Sequence, residues 1–241
     1  MTKIKAILFD FDGTLHIHLP SGGEVFTDYA ITQGLVISDD DRLRGLRWEH
    51  YYFASSPEIQ EDVKMFKDDK DGFWTNYSRR RFISLGCHPD RAVELSTAAS
   101  AYMAESYKPS VHVPDELHQV LPMLQNEGYI LGVVSNRDEP YPNELAETGL
   151  AQYFKFSLAG GEVSSFKPDP AIFMHALEMA GTSPEETLYV GDNYYADVVG
   201  SQRAGLQPVL YDPAAVFPDA DCPVIKSFDE LRSLIVESKI S

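Results

Sequence analysis

Short apolar runs alternate with amphipathic segments at the start of the chain and throughout its second half. Residues 3–11 form a mostly apolar run, which is typical of a strand buried on both faces of a parallel sheet. Later runs predict five further strands, at residues 129–134, 155–158, 188–190, 208–211 and 224–225. The spacing of apolar residues predicts helices between these strands, among them one that starts at Asp115 and stops at Gly128.

The segment between about residues 26 and 107 has a different pattern, because it is polar and aromatic, helical in period and poor in strand-like runs. This order predicts an α/β fold with a doubly wound, mostly parallel, Rossmann-like sheet built from residues 1–17 and 110–241. Residues 18–109 are then an inserted α-helical domain that follows the first strand. We expect both ends of the insertion at the carboxyl edge of the sheet, where open α/β sheets bind their ligands.

The strongest local signal is the sequence Asp10-Phe11-Asp12-Gly13-Thr14, which begins within the first apolar run. Two carboxylates two residues apart at a strand end can point to the same side, and Gly13 permits a sharp turn. An acid in a buried run needs a chemical reason to be there. The alternative is structural, with a turn at Asp12-Gly13 and Asp10 as a cap.

Three further polar sites occur at strand ends or in loops of the second half. Ser135 and Asn136 follow the second predicted strand, where an ordinary turn is the alternative. Lys167 precedes a helix that begins with proline, and a nearby anion would explain a lysine at that position. Asp192 and Asp197 follow a later strand, where capping of a helix is their alternative role.

The charge balance limits the partners that the chain can have. Its 20 basic and 37 acidic side chains give a net charge of −17, which repels nucleic acid and anionic lipid.

No run approaches 18 consecutive apolar residues, so we expect no membrane span, and we expect no signal peptide in the first eleven residues. Only two cysteines are present, without metal-binding spacing, which favours a cytoplasmic protein.

In their order and spacing, these four motifs resemble those of the haloacid dehalogenase-like superfamily, in its phosphatase branch with a helical cap inserted after the first strand. The resemblance implies that Asp10 is the nucleophile, that Asp12 is the general acid and base, and that Lys167 neutralises charge. It also implies a metal site formed by Asp10, Asp12 and Asp192. It further implies that Thr14, Ser135 and Asn136 bind the substrate and that Asp197 is a supporting acid.

The sequence departs from the family pattern in the flap after Leu15. It contains His16 and His18 where many relatives have an acidic residue and a small hydroxyl, which leaves the substrate open rather than the chemistry. The simpler interpretation is that both histidines are exposed, alternating residues of the flap. The alternative is that they contact the substrate.

Elementary electrostatics supports a bound metal independently of the resemblance. Asp10, Asp12 and Asp192 around a phosphate would repel one another by about 4 kcal/mol for each pair at about 4 Å, with an effective dielectric constant near 20. A divalent cation relieves this repulsion, and oxygen ligands favour Mg²⁺. We therefore expect a Mg²⁺-dependent phosphoric monoester hydrolase that acts on a small phosphorylated metabolite through an aspartyl-phosphate.

Several other functions remain open at this point. A 2-haloacid dehalogenase of the same superfamily needs neither a metal nor a protonated leaving group, and Asp12 argues against it. A phosphomutase shares all four motifs and differs mainly in the cap and in whether water is admitted. A receiver-like phosphoacceptor module also uses Asp, a hydroxyl, Lys and Mg²⁺, but it is much shorter and lacks a large insertion. A non-catalytic nucleotide-binding protein is disfavoured because neither GxGxxG nor GxxxxGK[ST] occurs.

Within the insertion, residues 74–85 have helical period and carry their aromatic side chains on one face. Arg79 and Arg80 are expected to be solvated, whereas Arg81 falls near the middle of the apolar face. A guanidinium there needs an anion or a route to solvent. The anion is either an acid of the insertion or an anionic part of the substrate, and a polyhydroxy part of the substrate is a further possible partner.

Overall fold

The computed structural model describes residues 3–238 of the chain. Its elements follow in the order β1 (Ala6–Phe9), β2 (Ile17–Leu19), α1 (Gly22–Thr32), α2 (Asp39–Phe53), α3 (Pro57–Met65), α4 (Lys70–Ser84), α5 (Pro89–Ser106), β3 (Ser110–His112), α6 (Leu117–Asn126), β4 (Ile130–Ser135), α7 (Pro142–Glu147), β5 (Phe156–Ala159), α8 (Gly160–Val163), α9 (Pro170–Ala180), β6 (Thr187–Gly191), α10 (Val199–Arg203), β7 (Gln207–Tyr211), β8 (Val224–Ile225) and α11 (Phe228–Ser238). A π-helical turn at Tyr194–Val198 leads into α10. No helix within these residues combines the length and apolar character that a membrane crossing needs.

Six strands form one sheet in the order β5-β4-β1-β6-β7-β8, and every neighbouring pair is parallel. The predicted α/β fold with its six core strands is therefore confirmed. β1 lies in the middle, with Ala6 paired to Ile130 on one side and to Thr187 on the other. All four residues of β1 are buried, as expected for a strand covered on both faces.

Alternate residues of β1 face two different layers of helices. Ile7 and Phe9 belong to a core that includes Leu121 of α6 and Phe228 of α11. Leu8 belongs to the opposite core, which includes residues of α9. The two-residue period of a strand thus distributes one apolar run between two cores, which is the basis of a doubly wound sheet.

The chain divides into two compact units, one formed by Met1–Ile17 with His112–Ser241 and the other by His18–Val111. The second unit therefore ends two residues later than the predicted insertion at 18–109, and residues 1–2 and 239–241 lie outside the described part. Helices α1 to α5 make up this helical unit, with a core that includes Phe26 of α1, Phe82 of α4 and Leu95 of α5. The two connecting segments carry β2 and β3, which pair as a small separate sheet that was not predicted.

Candidate active site

Three parallel strands bring polar residues to one edge of the sheet. Asp10 follows β1, Ser135 is the last residue of β4, and Asp192 follows β6. Because β1 lies between β4 and β6 and all three are parallel, their carboxyl ends are neighbours. Parallel α/β sheets bind their ligands at this edge. The topology therefore makes this edge the candidate active site.

Lys167 is buried between two carboxylates. Its Nζ donates to Asp10 Oδ1 and to Asp197 Oδ1, each at 2.6 Å, and to the Tyr189 hydroxyl at 3.0 Å. Burial disfavours the charged form of Lys167, but Asp10 and Asp197 outweigh it and raise the pKa of the ammonium well above its usual value. The anion predicted beside this lysine therefore includes two of the protein's own carboxylates.

Asp10, Asp192 and Asp197 form an acidic cluster, in which one oxygen of each lies within 4.8 Å of the other two. Burial raises the pKa of Asp10 well above its usual range, with Lys167 opposing the shift. Burial and the charge of Asp197 raise the pKa of Asp192 to about 7. Such shifts mark carboxylates whose charge is costly in the folded protein, and a divalent cation would offset that cost. The three acids, all hard oxygen donors, fit Mg²⁺.

Two glycines let these carboxylates lie close to the backbone. A Cβ atom at Gly191 would overlap the carboxylate of Asp197, and one at Gly13 would lie 2.5 Å from Asp192 Oδ2. Gly13 also has a φ of +92°, which other residues rarely adopt. The glycine in each motif is therefore a packing requirement of the acidic cluster.

The carboxylate of Asp12 is not one of the three that form the acidic cluster, and its role as a metal ligand stays a prediction. Arg137 donates to it twice, from Nε to Oδ2 at 2.8 Å and from Nη2 to Oδ1 at 2.7 Å. Ser135 Oγ also donates to Asp12 Oδ2, at 3.3 Å. Two such contacts form together because a planar guanidinium can donate to both oxygens of one carboxylate. Asp197, predicted only as a supporting acid, takes the third place in the cluster.

Two residues predicted to bind substrate form hydrogen bonds with other residues of the site. The hydroxyl of Thr14 is buried, donates to Asp192 Oδ1 and accepts from the Asp192 N–H, both at 3.1 Å. Asn136 Oδ1 accepts from the Lys167 N–H at 2.6 Å, and its Nδ2 donates to the Lys167 carbonyl at 2.9 Å. These polar atoms position Asp192 and the Lys167 backbone, and the contacts of Thr14 and Asn136 with substrate stay predictions.

The flap differs from the prediction at one of its two histidines. His18 is exposed as predicted, but His16 is buried and stacks on Phe11 with ring centroids 4.9 Å apart. The reason is a local turn in which the His16 N–H donates to the Phe11 carbonyl, so that strand-like alternation does not apply here. His16 Nδ1 lies 3.4 Å from Asp12 Oδ1.

Two arginines of α4, Arg80 and Arg81, pair with acids of the helical unit. Arg81 is fully buried, with Nη2 3.4 Å from Glu49 Oε2, so the structure supports the ion pair within the insertion. A contact between Arg81 and the substrate stays a prediction. The expectation that Arg80 is solvated is wrong, because its Nε lies 2.8 Å from Asp62 Oδ2 and its Nη1 lies 3.3 Å from Glu58 Oε2.

Two residues of the site were missed in the sequence. Tyr189 was assigned only to a strand, yet its hydroxyl accepts from Lys167 and donates to the Val134 carbonyl at 3.1 Å. Arg137 was given no role, although a cation directly after a polar pair at a strand end was an available signal in a chain of net charge −17. Its orientation toward Asp12 depends on residues distant in sequence and could not be read from spacing.

Known proteins resemble this chain over most of its length. A family model described as haloacid dehalogenase-like hydrolase matches residues 7–210. A phosphoserine phosphatase from Thermus thermophilus is 28% identical over 232 residues, covering 87% of this chain and 89% of that protein.

Two solved structures share the fold. A 2-haloacid dehalogenase from Pseudomonas syringae pv. Tomato has a TM-score of 0.56 at 24% identity, covering 97% of this chain and 99% of that one. A predicted phosphoglycolate phosphatase from Haemophilus somnus has a TM-score of 0.59 at 20% identity, with the same coverage of both chains. These structures support the fold, and the family model together with the four motifs supports the relationship. The chain belongs to the haloacid dehalogenase-like hydrolase family.

Proposed function

We propose that this protein is a Mg²⁺-dependent phosphohydrolase that acts on a small phosphomonoester through an aspartyl-phosphate on Asp10. The observation that carries the proposal is the contact between buried Lys167 and Asp10 at 2.6 Å, beside two further carboxylates. A lysine and an acidic cluster at one sheet edge offer fixed positive charge and a cation site together. Phosphoryl transfer depends mainly on positioning and on neutralisation of charge, which this arrangement provides.

Asp10, Asp192 and Asp197 would hold the ion. When bound, Mg²⁺ would neutralise negative charge on the phosphoryl group and on the carboxylates around it. Lys167 adds a second positive charge that burial and its two ion pairs keep in place. Thr14 contributes indirectly, because its two hydrogen bonds fix Asp192.

The covalent steps need a nucleophile and a proton carrier. An oxygen of Asp10 attacks phosphorus, a bond from Asp10 to phosphorus forms, and the bond from phosphorus to the ester oxygen breaks. Asp12 gives a proton to that leaving oxygen and later takes one from the water that attacks the aspartyl-phosphate. This attack breaks the bond between the Asp10 oxygen and phosphorus and releases phosphate. Ser135, buried at the end of β4, would donate its hydroxyl to a phosphoryl oxygen.

Phosphomonoesters are favoured over haloacids as substrates. A halide leaves carbon without a proton and without a metal, so a dehalogenase has no chemical need for a proton carrier at Asp12 or for a metal site. The phosphoserine phosphatase relative also supports an ester of phosphoric acid. A phosphomutase would use the same residues and would return the phosphoryl group to a substrate rather than to water.

A substrate screen tests the proposal. The purified protein is incubated with sugar phosphates, nucleotides, phosphoglycolate, phosphoserine and a 2-haloacid, each with Mg²⁺ or with excess chelator. We expect phosphate release that requires Mg²⁺ and falls about 1,000-fold or more in Asp10→Asn, because an amide cannot attack phosphorus. Halide release in chelator would establish the dehalogenase instead, and isomerisation of a sugar phosphate without phosphate release would establish the mutase.

A further inference from the structure

Arg137 is fixed by the fold on several sides. The Gly161 N–H donates to its carbonyl at 3.1 Å, and a Cβ atom at Gly161 would overlap the Asp138 carbonyl, so this loop packs tightly against the start of α8. The guanidinium lies over two aromatic rings, with Cζ 4.9 Å from the Phe11 centroid and 5.3 Å from the Tyr141 centroid. The direction of the Arg137 side chain is therefore set before any ligand binds.

The fixed guanidinium contacts the carboxylate of Asp12. Its Nε and Nη2 meet both oxygens of Asp12, while Nη1 lies 3.3 Å from Glu144 Oε1 on the other side. The Arg137 side chain is 26% exposed and that of Asp12 is 43% exposed. A two-point contact fixes both the position and the plane of a carboxylate, whereas a single contact leaves the plane free to rotate.

We propose that Arg137 is a positioning residue that holds the Asp12 carboxylate where it exchanges protons with the leaving group and with water, outside the acidic cluster. The proposal rests on the proposed function. Asp12 lies only two residues from Asp10, yet its carboxylate is not one of the three in the acidic cluster, and both of its oxygens accept from Arg137. A misplaced proton carrier costs rate without weakening substrate binding.

A double-mutant cycle tests whether Arg137 acts through Asp12. Kinetics are measured for the wild type, Arg137→Ala, Asp12→Ala and the double variant, on an alkyl phosphate and on p-nitrophenyl phosphate. We expect Arg137→Ala to lower kcat on the alkyl phosphate by about 10- to 100-fold, with KM changed less than about threefold. We expect the loss to be smaller on p-nitrophenyl phosphate, whose leaving group needs less help from an acid. In the Asp12→Ala background, removal of Arg137 should cost less than about twofold.

Two further variants separate geometry from charge. Arg137→Lys keeps the charge but loses the two-point contact, so it should recover only a small part of kcat. Arg91→Ala removes a matched arginine of an exposed ion pair with Glu94 in the helical unit and should leave kcat and KM unchanged. The proposal is overturned if the losses at Arg137 and Asp12 simply multiply. It is equally overturned if Arg137→Ala raises KM at unchanged kcat, because Arg137 is then a substrate-binding cation.

A crystal structure of Arg137→Gln gives a readout that does not depend on turnover. We expect the Asp12 carboxylate to leave the position that it occupies beside Ser135 Oγ, and an unmoved carboxylate would contradict the proposal even if the protein had no phosphatase activity. A wild type that releases no phosphate from any ester would instead contradict the proposed function. The two failures are therefore distinguishable.

Discussion

At the scale of single residues, the charged side chains of the site form ion pairs with one another. Lys167 pairs with both Asp10 and Asp197, and Arg137 pairs with Asp12. The chain thus holds two cationic side chains among four acids at one edge of the sheet. Two cations do not offset four acids, so a chain of net charge −17 still needs a divalent cation at this site to meet an anionic substrate.

The buried position of Arg81 leads to a prediction about stability. Its guanidinium is buried beside Glu49, and the Tyr77 hydroxyl donates to the other oxygen of that carboxylate at 2.8 Å. We expect Arg81→Ala to lower the free energy of unfolding by about 3–5 kcal/mol, because it removes one partner of a buried ion pair. Thermal melts should show a lower Tm.

Kinetics on two substrates decide whether Arg81 also contacts a ligand. If its role is structural, Arg81→Ala reduces turnover of the best natural ester and of p-nitrophenyl phosphate by the same factor. Arg79→Ala is the matched control, because Arg79 bonds Asn76 of its own helix, and it should behave as the wild type. A loss confined to the natural ester, at unchanged Tm, would establish a substrate contact and contradict the structural interpretation.

At the scale of elements, close helix packing in the helical unit depends on Gly45. A Cβ atom there would lie 2.6 Å from Arg81 Nη1 and 2.7 Å from Leu85 Cδ2. Overpacking costs about 1–3 kcal/mol, which exceeds the gain of about 1 kcal/mol in helix propensity that alanine brings. We expect Gly45→Ala to lower Tm by about 2–4 °C for each kcal/mol of net loss in a chain of this size.

Gly22→Ala is the matched control for this substitution. A Cβ atom at Gly22 would meet only the Tyr107 ring at 3.6 Å or more, which is an ordinary contact. Its Tm should therefore equal or exceed that of the wild type. If Gly45→Ala raised Tm as much as Gly22→Ala does, the close approach of α2 and α4 would not matter for stability.

The elements also show what a sequence can predict. Apolar runs predicted all six core strands because burial on both faces leaves a continuous signal, and a proline marked the start of the helix at Pro170–Ala180. β2 and β3 were missed because each has only three residues and little buried surface. The ion-paired Arg80 and the buried His16 were misjudged because periodicity says nothing about a partner distant in sequence or about a local turn.

At the scale of the whole molecule, metal binding and stability should be linked through pH. The pKa of Asp192 is raised to about 7, so the folded state holds its proton more tightly than the unfolded chain does. The corresponding stability is fully present below about pH 4 and is lost as the pH rises through about 7. In chelator, we therefore expect Tm to fall between about pH 5.5 and about pH 8.

Mg²⁺ should counteract this loss, because the ion binds the ionised carboxylates. The increase in Tm on adding Mg²⁺ should be larger at about pH 8 than at about pH 5.5. Asp192→Asn should weaken both the pH dependence and the response to Mg²⁺. An equal response to Mg²⁺ at both pH values, or an unchanged response in Asp192→Asn, would place the ion elsewhere.

The covalent intermediate on Asp10 is the central claim, and intact-mass spectrometry tests it most directly. Asp12→Ala is mixed with p-nitrophenyl phosphate and Mg²⁺ and quenched in acid, because this leaving group needs little acid help while the attack of water loses its base. The account predicts a mass increase of one phosphoryl group, located on Asp10 by peptide analysis and absent from the Asp10→Asn, Asp12→Ala double variant. A phosphoryl group on another residue, or phosphate release with no covalent adduct at any time, would contradict it.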